Sequence, residues 1–139
     1  MVNMPLGVQN MRTINNIDEL NLPLSFNQFI YTFLENVAEL PYVQKVLLFG
    51  SCATGKIHDR SDLDLFIITN RDVTDDEEFH ISFECRPACS IQTDIPVDMI
   101  IQPQYIYDKY KTTTGMVEKY VELEGIDLSA SISECRGNL

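Results

Sequence analysis

Val46-Leu47-Leu48-Phe49-Gly50-Ser51-Cys52-Ala53-Thr54-Gly55, with Ser61-Asp62-Leu63-Asp64-Leu65-Phe66-Ile67-Ile68 close behind, decides the fold. Two apolar runs flank a glycine turn and a polar joint, a pattern that predicts strand, turn, short helix or loop, strand. Gly50 stands where the backbone must turn sharply and leave room for a ligand. Ser51 follows with a hydroxyl and a free backbone N–H, and a helix opening there would turn its N–H groups toward phosphate. Asp62 and Asp64, at i and i+2, share one face of a strand. At a rise of ~3.3 Å per residue their backbone positions lie about 6–7 Å apart, within reach of one metal ion. Two carboxylates so placed repel each other unless a cation or a proton intervenes. Mg²⁺ is the expected cation, because it takes hard oxygen ligands and is commonly shared between carboxylates and substrate phosphates.

Gly50-Ser51, Ala53 and Gly55, followed by Ser61-Asp62-Leu63-Asp64-Leu65, resemble the signature of the nucleotidyltransferase superfamily that includes DNA polymerase beta. Among its members the chain is most similar to the minimal nucleotidyltransferases, over Phe26 to Leu128. The resemblance implies an α/β (α+β) fold with a mixed β-sheet, helices packed on one side and the site on the open face. It also implies an activity: Mg²⁺-dependent transfer of a nucleoside monophosphate, AMP from ATP being the first candidate, to an acceptor hydroxyl. A two-metal site would be held by Asp62 and Asp64, and Asp98 matches the family's third carboxylate. Gly50 and Ser51 would hold the β- and γ-phosphates. Many members carry arginines where Cys52 and Thr54 stand, which leaves further phosphate contacts to Lys56 or Arg60. Minimal members often act with a helical HEPN-type partner, in some cases as an antitoxin that adenylates a toxin tyrosine. A catalytically silent nucleotide- or partner-binding module with the same fold is the alternative.

The 139 residues suit one domain around one core. We divide them into an N-terminal extension over 1–24, a nucleotidyltransferase domain over 25–128 and a loose polar tail over 129–139. Asp and Glu outnumber Lys and Arg by 21 to 10, and no basic cluster stands out. Such a surface repels a nucleic-acid backbone, which argues against a template-copying role. It suits a nucleotide, protein or cationic small-molecule acceptor. No apolar stretch approaches the ~20 residues that span a bilayer, and the leader lacks the basic and apolar regions of a signal peptide. A cytoplasmic location is therefore expected, with Cys52, Cys85, Cys89 and Cys135 as reduced thiols. His80, Cys85 and Cys89 lack the second ligand pair of a zinc site. Small half-buried thiols describe the cysteines better.

Outside the central motif, Phe26, Phe29, Ile30, Phe33, Leu34, Val37 and Leu40 form one face of an amphipathic helix that starts at an N-cap Ser25 and ends at Pro41. Val43 to Phe49 reads as a strand buried on both faces. His58 reads as a surface-loop residue or a proton acceptor, and Ser61 as a brace before Asp62. Asp72, Asp75, Asp76, Glu77 and Glu78 lack the calcium-loop pattern and fit a solvated face or a helix N-terminus. Asp94 to Ile101 is the third strand, with Pro96 at its beginning or edge. Asp98, set among Val97, Met99, Ile100 and Ile101, is costly to bury without a partner or metal, whereas Asp94 is the weaker substitute. Short helices are expected over 103–111 and 116–124, the second stopped at Gly125, with a brief strand at 126–128. The leader is expected to wrap the domain, form a short helix near 17–20, or meet a second subunit in a homodimer.

Overall fold

The computed structural model describes residues 11–88 and 95–137. Asp94 and Cys89, both singled out above, lie outside them. Five strands form one mixed sheet in the order β1-β5-β2-β3-β4. The strands are β1 (Arg12–Thr13), β2 (Val43–Phe49), β3 (Leu63–Thr69), β4 (Val97–Pro103) and β5 (Ile126–Asp127). The helices are α1 (Leu24–Ala38), α2 (Ser51–Thr54), α3 (Asp75–Phe79), α4 (Gln104–Tyr110), α5 (Val117–Glu124) and α6 (Ser129–Gly137). A 3₁₀ turn at Ile17–Leu20 precedes α1, and a π turn at His80–Glu84 continues α3.

β2 is the central strand, antiparallel to β3 on one side and to β5 on the other. Val43, Val46, Leu47 and Leu48 are fully buried, as a strand covered on both faces requires. β3 runs parallel to β4, which begins directly after Pro96 and forms the sheet edge. Both positions expected of that proline hold, since neither asks it to donate a ladder hydrogen bond. Alternation then sorts the side chains. Val46, Leu48, Leu63, Leu65 and Ile67 join the larger core with Phe29, Ile30, Phe33 and Leu34 of α1 and Ile132 of α6. Leu47, Phe66 and Ile68 point the other way and meet Tyr107 of α4 and Val121 of α5. The second face is thus partly roofed by two short helices and stays open beyond them. Among the described residues no helix is long and apolar enough to cross a membrane.

Three expectations change. Pro23, not Ser25, takes the N-cap position of α1, where no side chain caps the helix, and Ser25 falls in the first turn. The extension is built into the domain: β1 pairs with β5, and Ile14 and Ile17 are buried in the larger core. The C-terminal stretch expected to be loose forms α6 over Ser129–Gly137. Its Arg136 donates to the carbonyls of Ala38, Leu40 and Val43 at 2.7–3.0 Å and so ties α6 to the end of α1 and the start of β2.

Candidate active site

The polar joint between β2 and β3 sits at one end of the sheet. Gly50 adopts φ 73° and ψ −155°, a conformation that side-chain-bearing residues rarely take. A Cβ at Gly50 would also overlap the Asp64 carboxylate. Glycine here lets the turn close directly over an acid. α2 follows as a single turn of helix with Cys52 and Ala53 buried and Thr54 exposed. Cys52 donates its thiol hydrogen to the Asp62 carbonyl, with Sγ 3.5 Å from the oxygen. Burial first, then the nearby Asp64 charge, pushes this thiol up to about 11, so it is a structural tie and not a nucleophile. Ser61 is buried and its Oγ accepts from the His58 backbone N–H at 2.7 Å. His58 in turn accepts from the Arg60 backbone N–H at Nδ1, which makes it part of the loop's bracing.

Register brings the carboxylates together. Asp64 lies opposite Phe49 across the antiparallel pair and beside Asp98 across the parallel pair. Asp62 is two residues earlier on the same strand path. Asp98 is exposed, while Asp62 and Asp64 are half-buried. Burial holds the Asp64 carboxyl up to about 6, and the charges of Asp98 and Asp62 add to the rise. Among the described residues no lysine or arginine forms an ion pair with Asp64. Carboxylate oxygens are hard donors of the kind a divalent cation takes, and the register pairs those of Asp64 and Asp98. Among the described residues no group of three or more His, Cys, Asp and Glu side chains is arranged as a metal-holding cluster.

Two grooves flank α2. The larger, about 780 Å³, runs from Phe49, Gly50 and Ser51 to the start of α5. The other, about 630 Å³, lies between α2 and the N-terminal segment and includes Arg12. Lys56 is exposed and lines both, whereas Arg60 is exposed and lines neither. Lys119 and Tyr120 line the larger groove, and no functional role was expected for either. The sequence carries no distinct signal for either. Val121 is buried, yet Tyr120 remains 67% exposed and Val117 37%. Val117, Tyr120 and Val121 stand at i, i+3 and i+4 on one face, of which Val121 is buried and Tyr120 lies along the groove.

A parallel pair of strands led by a carboxylate pair, with a glycine turn closing over one acid, defines a nucleotidyltransferase-type domain. The family model for polymerase beta nucleotidyltransferases matches residues 30–119, and the chain belongs to that family. A general function in nucleotidyl transfer follows from the membership. A search of curated protein sequences finds no match. Among solved structures, a candidate nucleotidyltransferase from Sulfolobus solfataricus is similar at 18% identity and TM-score 0.37. That alignment covers 64% of this chain and 83% of the other, a likeness too slight to extend the argument.

Proposed function

We propose that the chain transfers a nucleoside monophosphate from a nucleoside triphosphate, ATP first among the candidates, to a hydroxyl on a protein or small-molecule acceptor. The observation that carries this reading is the Asp64 carboxylate, held under Gly50, beside Asp98 and, among the described residues, without an ion-pair partner. Asp62 and Asp64 would bind Mg²⁺, with Asp98 completing a two-metal set, and the metal would supply charge neutralisation for the triphosphate and the acceptor oxygen. The Gly50–Ser51 turn and Lys56 would orient the β- and γ-phosphates. The acceptor oxygen forms a bond to the α-phosphorus, the α–β anhydride bond breaks, and pyrophosphate leaves. Asp98, exposed at the sheet edge, takes the hydroxyl proton directly or through water. Positioning and charge account for the rate, since no covalent enzyme intermediate is needed.

A helical HEPN-type protein is the partner that the family resemblance suggests. Phe79 and Phe83, both exposed with ring centroids 5.0 Å apart, give an apolar surface for a protein partner. A second reading, a catalytically silent binding module, is favoured by one observation: Cys52, where many members carry an arginine, is buried and tied to Asp62. Calorimetric titration with ATP, with and without Mg²⁺, tests the site, beside an Asp62→Asn/Asp64→Asn variant. Binding that requires both metal and aspartates is expected. Incubation with α-labelled ATP and acceptor then separates the two readings, because a silent module binds without transferring label.

A further inference from the structure

We infer that the groove between the Gly50–Ser51 turn and α5 is the nucleoside subsite, with Tyr120 as the stacking face for the base and Lys119 as a second phosphate-binding cation. The inference rests on the nucleotide reading above and adds to it the residues that hold the rest of the molecule. The groove is continuous with the site, because Phe49, Gly50 and Ser51 form one end of it. Its volume of about 780 Å³ lies within the ~300–1,000 Å³ typical of small-ligand sites.

The lining carries both apolar and charged side chains. Met116, Val117, Tyr120 and Leu123 make the far wall apolar. Tyr120 lines this groove with 67% of its surface exposed, which leaves the ring open to be covered by a ligand. Every nucleobase offers a π face to such a ring. Lys56, Lys119 and Glu124 are the charged residues of the lining. In a chain with 21 acidic and 10 basic residues, a lining with two lysines and one acid, Glu124, is a local reversal of sign. Lys119 donates to the Thr114 hydroxyl at 3.1 Å, which orients its ammonium along the groove's rim. Thr114 and Gly115 line the same groove, and Gly115 takes φ +90° with open space around it. The loop entering α5 is therefore shaped by a backbone conformation suited to glycine. With Cys52 buried, Lys56 and Lys119 are the cations that the groove offers to a triphosphate.

The test compares two probes, Mg²⁺–ATP and Mg²⁺–tripolyphosphate, which share phosphates and differ in the nucleoside. Tyr120→Ala should weaken ATP roughly tenfold and leave tripolyphosphate unchanged, while Tyr120→Phe binds both as the parent does. Lys119→Ala should weaken both probes alike, and Lys119→Arg should restore them. Unchanged ATP affinity in Tyr120→Ala overturns the inference, as does an equal loss for both probes. If the parent binds ATP and loses it in Asp62→Asn/Asp64→Asn but not in Tyr120→Ala, the nucleoside assignment alone falls. If the parent binds neither probe, the underlying nucleotide reading falls with it.

Discussion

Two acidic clusters in this chain look alike in sequence and differ in what surrounds them. Asp75, Asp76, Glu77 and Glu78 open α3, where their charge meets the N-terminal end of a helix. Glu77 closes a capping box with Thr74 and makes a bidentate pair with Arg71 at 2.8–2.9 Å. Those contacts, the Arg71 hydrogen bonds foremost, hold its carboxyl down to about 2. Asp62, Asp64 and Asp98 have the opposite surroundings. They lie at the ends of β3 and β4, partly desolvated, and Asp64 is raised by burial and by its acidic neighbours. A run of acids is a solvated helix end when the chain supplies its own donors. It becomes a candidate site when the fold brings acids together and leaves their repulsion unanswered.

The largest effect that can break this contrast is Asp64→Asn. Labelled-ATP transfer should fall at least ~10²-fold, the scale expected when a charge-stabilising group is removed. The variant should also melt higher. Because the folded carboxyl titrates near 6 against 3.8 unfolded, its ionised form opposes folding. Stability held by the protonated form is fully present below pH ~4 and lost as pH rises through about 6. Asp64 is substantially solvated, so screening reduces the difference to about 1 kcal/mol, or a Tm gain of about 3–5 °C at pH 8. That gain should vanish below pH ~4 in a scan of Tm against pH. A variant that melts lower at pH 8 would mean that Asp64 already has a partner.

Next in size is a comparison of two glycines five residues apart. Gly50 and Gly55 both take positive φ, at 73° and 78°, and alanine strains both: Gly55 is left-handed, at ~1–2 kcal/mol, whereas Gly50, with ψ −155°, lies where essentially only glycine fits, at ~1–3 kcal/mol. Only at Gly50 would the new methyl overlap Asp64, since Gly55 has open space around it. Gly55→Ala should therefore cost stability and keep Mg²⁺-dependent ATP binding. Gly50→Ala should cost more and weaken binding about tenfold or beyond, by moving the acid. Equal ATP affinity in the two variants would uncouple the turn from the carboxylates.

Legibility in the sequence followed locality. β2, the glycine turn and β3 were readable because buried apolar runs and a left-handed glycine impose the structure within a few residues. The mixed sheet and the family followed from the same stretch. α6 was not readable, since it has one buried residue, Ile132, and is tied by Arg136 to carbonyls 93–98 positions away in sequence. The pairing of β1 with β5 is equally remote. Of the site, the three aspartates were nameable, yet the register that sets Asp64 beside Asp98 comes from strand pairing. Lys119 and Tyr120 were hidden because a short helix does not announce which of its apolar residues remain uncovered. The capping box at Thr74 and Glu77 was present as a local T-x-x-E pattern, and only the charge of that stretch entered the reading.

The smallest expected effect sharpens the contrast from the side of α3. Thr74 accepts the Glu77 backbone N–H at 3.1 Å, and Glu77 accepts the Thr74 backbone N–H at 3.0 Å. Thr74→Ala removes one half of this exchange and should cost ~1 kcal/mol by chemical denaturation. Transfer should be unchanged, because Glu77 has its own donors and none of the α3 acids lines the groove or belongs to the carboxylate set. The pH dependence should run opposite to that of Asp64. A depressed carboxyl stabilises the fold above its unfolded pKa, and the stabilisation fades as pH falls from about 4.5 toward about 2. Glu77→Gln should therefore lower stability at pH 7 and converge on the parent at pH 2, where Asp64→Asn also converges, but from above. Two carboxylate clusters in one chain would then show opposite signs in the same titration, the measurable difference between acids that the fold has satisfied and acids that it has left for a ligand.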